Sequence, residues 1–172
     1  MMTGRYLIFF FFIGLLGCGS DEQRLFDIEL EADFTIGAGL NTFDTHYFIV
    51  RRVPTRIQNY LLNLDPSLVD QILPTRAEIT APFNTIDFSI VREVSIWAIS
   101  TRDPSVKKEI FYQDRIDFGE QKELRLFSSL SEVKEIFLED KFDLEIRLNF
   151  RTFTPTEIDT RVSMNFIANG AE

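Results

Sequence analysis

The chain has 172 residues, 18 Lys and Arg against 27 Asp and Glu, a formal net charge of -9, and 45% hydrophobic residues. That length and apolar fraction suit one globular domain and exclude a disordered chain, while a single cysteine excludes an internal disulfide scaffold. Basic residues are scattered singly or in pairs such as Arg51-Arg52 and Lys107-Lys108, so no phosphate-binding stripe exists and nucleic acid is not an expected partner.

In chain order, Arg5 precedes an apolar run from Tyr6 to Gly17, which Cys18 follows. A bilayer-spanning helix needs about 20 apolar residues, and this run is too short for one but fits a signal-peptide core. Leu15-Leu16-Gly17-Cys18 resembles the lipobox of bacterial lipoproteins. The resemblance implies cleavage after Gly17, a diacylglycerol on the Cys18 thiol and a further acyl chain on the new amino terminus, as in palmitate-bearing lipoproteins. Two membrane signals already anchor a protein stably. Losing residues 1–17 removes Arg5 and no acid, so 17 bases and 27 acids leave -10. That charge predicts a domain held off anionic headgroups rather than lying on them. Residues 18–24 read as the acylated terminus and a tether, and 25–172 as one domain. Gly19 replaces the aspartate associated with inner-membrane retention in such lipoproteins, which implies the outer membrane, with the leaflet open.

From Leu25 the dominant period is two. Phe26, Ile28, Leu30, Ala32, Phe34 and Ile36 alternate with Asp27, Glu29, Glu31, Asp33 and Thr35, predicting a strand with one wet face. After the Ala38–Asn41 turn, residues 42–53 are apolar on both faces and predict a central strand. Helical spacing predicts a helix from Pro54 to Leu64 and a second from the Asp65-Pro66 start to Leu73. Strands follow at 76–83, 91–100, 107–114 and 121–127, and a Ser129/Glu132 capping box predicts a small helix over 130–138. The alternations from Phe142 to Phe150 and from Ile158 to Ala168 predict a long antiparallel hairpin. The expected fold is all-β: an antiparallel immunoglobulin-like β-sandwich with two short helical insertions. The segments 43–48, 73–77 and 130–151 resemble uncharacterised β-rich envelope lipoproteins, a resemblance that brings no functional residue with it.

Tests for chemistry fail one after another. His46 is the only histidine, so a His-based metal set is missing, and a strand histidine at the sheet surface or in the core is expected rather than a catalytic one. The acidic row Asp27-Glu29-Glu31-Asp33 lacks the glycine-bearing spacing of a calcium loop and reads as a solvated face. No glycine-rich phosphate loop, nucleophile elbow or CxxC motif occurs. No catalytic residue, metal ligand or cofactor is expected, and the functional residues named are Cys18 and Gly17. Trp97, Tyr112, Phe111 and Tyr47 are read as core or, alternatively, as an exposed aromatic strip.

These features predict a lipid-anchored, non-enzymatic binding or assembly module of the cell envelope, with a protein partner. Its contact surface is expected among turns far from the tether, with 38–42, 101–106 and 152–156 as candidates. The alternatives are a carrier or sensor of an apolar ligand, which needs a dry cavity between the sheets or under 54–73, and a carboxylate-based glycan hydrolase, which needs convergent acids in a concave site.

Overall fold

The computed structural model describes residues 23–62, 64–82 and 86–170. Gly17, Cys18 and the rest of the leader fall outside those residues, as does Phe83. The eight strands are β1 (Gln23–Ile36), β2 (His46–Pro54), β3 (Val69–Thr80), β4 (Val91–Ser100), β5 (Lys107–Gln113), β6 (Glu123–Ser128), β7 (Lys141–Phe150) and β8 (Ile158–Gly170). They form one curled sheet in the order β1-β8-β3-β6-β5-β4-β7-β2, antiparallel at every pairing. The ladder joining β5 to β6 is short, carried by Phe111 opposite Ser128 and Tyr112 opposite Phe127. Around this join the sheet folds over, bringing Phe111 on β5 against Phe166 on β8 with ring centroids 5.5 Å apart. Its two edge strands also approach, with Phe34 of β1 5.5 Å from Phe48 of β2.

Period two accounts for the core. Ile28, Leu30, Ala32, Phe34 and Ile36 of β1 are buried, as are Phe142, Leu144, Ile146, Leu148 and Phe150 of β7 and Ile158, Val162, Met164, Phe166 and Ala168 of β8. The predicted inward faces of the last two strands are therefore correct, but the hairpin between them is not formed. β7 lies between β2 and β4, whereas β8 lies between β1 and β3. Alternation fixes which face is buried and is silent on which strand lies alongside.

Three further expectations are corrected. β2 is an edge strand, not a central one, and its outward Tyr47 and Ile49 are exposed. The helix predicted over 65–73 shrinks to a single 3-10 turn at Pro66–Leu68, for which Asp65 does act as cap, accepting from the Ser67 N–H at 2.9 Å. Residues 69–73 belong to β3, whose register slips at Val69/Gln71 and again at Pro74/Arg76. Each slip adds a residue, so the buried positions run Val69, Ile72, Pro74, Ala77, Ile79, and the threefold gaps imitate a helix. The capping box does not form either. Ser129 Oγ donates to the Glu109 carbonyl, Glu132 accepts from the Ile72 and Lys134 amides, and α2 (Lys134–Phe137) starts from Val133 without a side-chain cap.

The other helix, α1 (Ile57–Leu61), buries Ile57 and Leu61 and stacks Tyr60 on Phe26 of β1 at 4.9 Å. It thus covers part of the gap between the two edge strands. β1 also takes in Gln23 and Arg24, residues expected in the tether. No helix among the described residues is long and apolar enough to cross a membrane.

Candidate functional site

Because neighbouring strands are all antiparallel, the chain's loops sort onto two ends. Gln23 lies at one of them, the near end, with 55–62, 64–68, 101–106 and 129–140. The far end gathers 37–45, 81–82, 86–90, 114–122 and 151–157. Of the candidate turns, 38–42 and 152–156 are at the far end, and 101–106 is at the near end, the same end as Gln23.

The far loops are fastened to one another. Thr154 is buried between two of them. Its hydroxyl donates to the Gly37 carbonyl at 2.8 Å and accepts from the Leu40 N–H at 2.9 Å, while the Gly39 N–H donates to the Thr154 carbonyl at 2.9 Å. Gly39 sits at φ 77, a conformation open to glycine at no steric cost. Arg151 donates through Nη1 to the carbonyls of Ser89 at 2.9 Å and Val91 at 2.7 Å and through Nη2 to that of Ile116, and its guanidinium lies 4.3 Å from the Phe118 ring centroid. Asp87 accepts from the Gln121 N–H at 2.8 Å and from Ser89, and these bonds hold its carboxyl below the usual range.

On this braced frame Phe43, Phe118 and Phe153 are 89%, 86% and 61% exposed. Exposed acids Asp44, Asp114, Asp117, Glu120 and Glu157 occupy the same loops, against the exposed bases Arg115 and Lys122. The sequence supplied a hint in Phe43, Phe118 and Phe153, each beside turn-forming residues, but alternation gave no reason to separate them from core phenylalanines.

The outer face over β2, β7, β4 and β5 holds the predicted aromatic strip in part. Phe111 is buried in the core, whereas Tyr47, Arg147, Ser95 and Tyr112 stand in one cross-strand row and Ile49, Glu145, Trp97 and Glu109 in the next. Arg147 is paired with Glu145 at 2.6 Å and lies 4.4 Å from the Trp97 ring and 5.5 Å from that of Tyr47. The aromatic faces are thus partly occupied by the protein's own cations. Beside them an open depression of about 280 Å³ is lined by Tyr47, Glu93, Glu109, Asp114, Arg147 and Asn149, among others. Burial pushes the Glu109 carboxyl up, the nearby Asp114 charge adds to this, and Arg147 opposes it.

His46 sets its Nε2 2.9 Å from the Asn41 carbonyl and tilts its ring against Phe150 at 5.5 Å, which fits a structural histidine. The acidic row of β1 is exposed and partly paired, Asp27 with Arg24, and Glu31 and Asp33 with Arg161. Among the described residues no group of three His, Cys, Asp or Glu side chains could hold a metal ion. The interior near α2 is filled by rings: Phe137 stacks on Phe142 at 5.3 Å and meets Phe166 at 4.6 Å.

No protein-family model matches the chain, and no curated protein matches it. Among solved structures, a chain of Desmodium yellow mottle tymovirus is matched at 13% identity over 84% of this chain and 87% of that one, with a TM-score of 0.29, a likeness too slight to carry an argument.

Proposed function

We propose that the protein is a lipid-anchored module of the bacterial outer membrane, cleaved after Gly17 and acylated on Cys18, that acts by binding a protein partner in the envelope rather than by catalysis. The far-end loops are its contact surface. The observation that carries this reading is the exposure of Phe43, Phe118 and Phe153 on loops fixed by Arg151 and Thr154, at the end opposite Gln23. Rigid scaffolds commonly present contacts on such loops, and large aromatics held still lose little entropy on binding. The domain is read as an immunoglobulin-like sandwich whose two halves remain joined through the β5–β6 ladder. Support for that comes from the packing of Phe111 against Phe166 across the interior.

The test is photocrosslinking in intact cells from position 43, 118 or 153, compared with position 29 on the acidic face. A discrete product from the loops that is missing from position 29 is expected. No product, or the same product from both faces, sinks the contact surface. The anchor has a separate test: a Cys18→Ala protein that still fractionates with membranes and is cut at the same place removes the lipoprotein reading.

One observation favours a second reading, glycan hydrolysis at the open depression: a carboxyl with raised affinity for its proton, Glu109, beside Asp114. Turnover of defined glycans that Glu109→Gln abolishes without unfolding the domain would replace the binding reading.

A further inference from the structure

We infer that the near end of the domain rests on the bilayer, its exposed leucines in the headgroup region and its basic corner on anionic lipid. This deepens the anchored reading above and rests on it, and it reverses what net charge alone predicts. Leu62, Leu68 and Leu130 are 78%, 51% and 96% exposed, all on the near-end connections. They belong to a packed edge of the domain: a Cβ on Gly170, at the end of β8, would stand 3.3 Å from the Leu68 carbonyl oxygen and 3.2 Å from the Leu25 side chain, and the Val133 N–H ties the loop of Leu130 to Ile72 of β3 at 2.9 Å.

Beside them, where β2 ends and β7 begins, Arg51, Arg52, Arg56 and Lys141 are exposed. Thr55 N–H to the Asp140 carbonyl at 2.8 Å and Arg52 N–H to Asp143 Oδ1 at 2.7 Å hold this corner together. Three acids share it, Glu139, Asp140 and Asp143, so four bases outnumber three acids in a chain where 27 acids outnumber 18 bases. The connections of the two ends do not differ in charge as wholes, each carrying six acids against three bases; what the near end adds is this corner. Each Lys or Arg near an anionic surface is drawn to it, and exposed apolar side chains add burial in the interface.

Chain length names the occupant. Cys18 lies five residues before Gln23, and five residues span at most about 17 Å when extended. An acyl anchor at Cys18 therefore keeps this end, not the far end, against lipid.

The experiment uses the full chain as isolated from membranes, in vesicles of phosphatidylethanolamine containing phosphatidylglycerol. A single cysteine is introduced at 62 or 130, or at 118 or 153, and carries an environment-sensitive dye; quenching by brominated lipid is read. Several-fold quenching at 62 and 130 with none at 118 and 153 is expected, together with a marked loss at 62 in the Arg51→Glu, Arg52→Glu variant. Quenching equal at all four positions, missing at 62 and 130, or insensitive to the charge reversal overturns the inference. Dye uptake by the chain with no introduced cysteine would mean an unacylated Cys18 and overturn the anchor alone. The pattern at 62 and 130, repeated on a Cys18→Ser background, still decides whether this end seeks lipid.

Discussion

Both ends of the curled sheet expose large apolar side chains, yet the backbone beneath them is built differently. At the far end, separate loops satisfy one another: Thr154 bonds Gly37 and Leu40, and one Arg151 guanidinium caps three carbonyls from two other segments. At the near end the connections form single turns, α1, α2 and the Pro66–Leu68 turn, joined to one another by Glu139, which accepts from Ser100, Thr101 and Arg102, and by the Thr55 N–H bond to the Asp140 carbonyl, and the backbone adopts positive φ at Arg52, Arg56 and Asp140. Both ends thus share polar side chains between loops, Thr154 and Arg151 at the far end and Glu139 at the near one, and the near end's two helices also anchor in the hydrophobic core through Ile57, Leu61, Ile136 and Phe137. Apolar exposure alone does not say what a surface meets; the charges around it and the way it is held do.

The largest effect should come from the near end's attachment to the core. Phe137→Ala removes a ring packed on both Phe142 and Phe166, and a loss of about 3–5 kcal/mol in denaturant unfolding is expected. A loss below about 1 kcal/mol would mean that the cluster collapses without a cavity and that the near end does not depend on it. Next in size is Arg151→Ala, which leaves the Ser89, Val91 and Ile116 carbonyls without that donor and should cost about 1–3 kcal/mol. Its distinguishing sign is local: amide exchange should quicken at Gly39 and Gln121 if the far loops move as one braced unit, and stay unchanged there if each loop stands by itself. Phe153→Ala should cost less than about 0.5 kcal/mol and Phe118→Ala about 0.5–1 kcal/mol, the latter losing only the Arg151 contact over its ring. Larger losses would place them in the fold rather than in a binding surface.

The contrast between the ends was only half legible in the sequence. Burial was readable, because a strand's two faces differ in composition and Ile146, Leu148, Met164 and Phe166 announce theirs. Pairing was not, since β7 and β8 carry equally good inward faces and nothing in either says that β3, β6, β5 and β4 lie between them. β3 misled for a physical reason: two bulges converted a period of two into alternating gaps of three and two, with Pro74 tolerated at the second. The far-end frame was invisible because its key contacts, such as Arg151 to Ile116, join residues whose proximity exists only after the sheet has curled. Asp65 shows the opposite case, a local cap read correctly even though the helix it should start is one turn long.

The smallest predicted effects concern two carboxylates whose environments pull in opposite directions, and they test whether each end's electrostatics are what the geometry implies. Glu139, at the near end, is opposed by burial, yet hydrogen bonds from Ser100, Thr101 and Arg102 outweigh that and hold its carboxyl below the usual value. A depressed carboxyl contributes stability that is present above its unfolded pKa and lost as pH falls through the folded value, so Glu139→Gln should flatten the acid limb of a stability profile below about pH 4. Glu109, on the outer face towards the far-end depression, is raised by burial and by Asp114, so its folded form holds the proton more tightly. Stability should therefore fall as pH rises from the unfolded glutamate value through the folded one. Glu109→Gln should remove that decline, leaving the variant slightly more stable than the parent at pH 7 and equal to it in acid, where the parent's Glu109 is protonated both folded and unfolded. Urea midpoints measured across this interval decide it: a Glu109→Gln variant destabilised at pH 7 and unchanged in acid would mean that the ionised carboxylate is held by Arg147 more than it is penalised by burial. That outcome would also remove the raised proton affinity on which glycan hydrolysis at the depression rests.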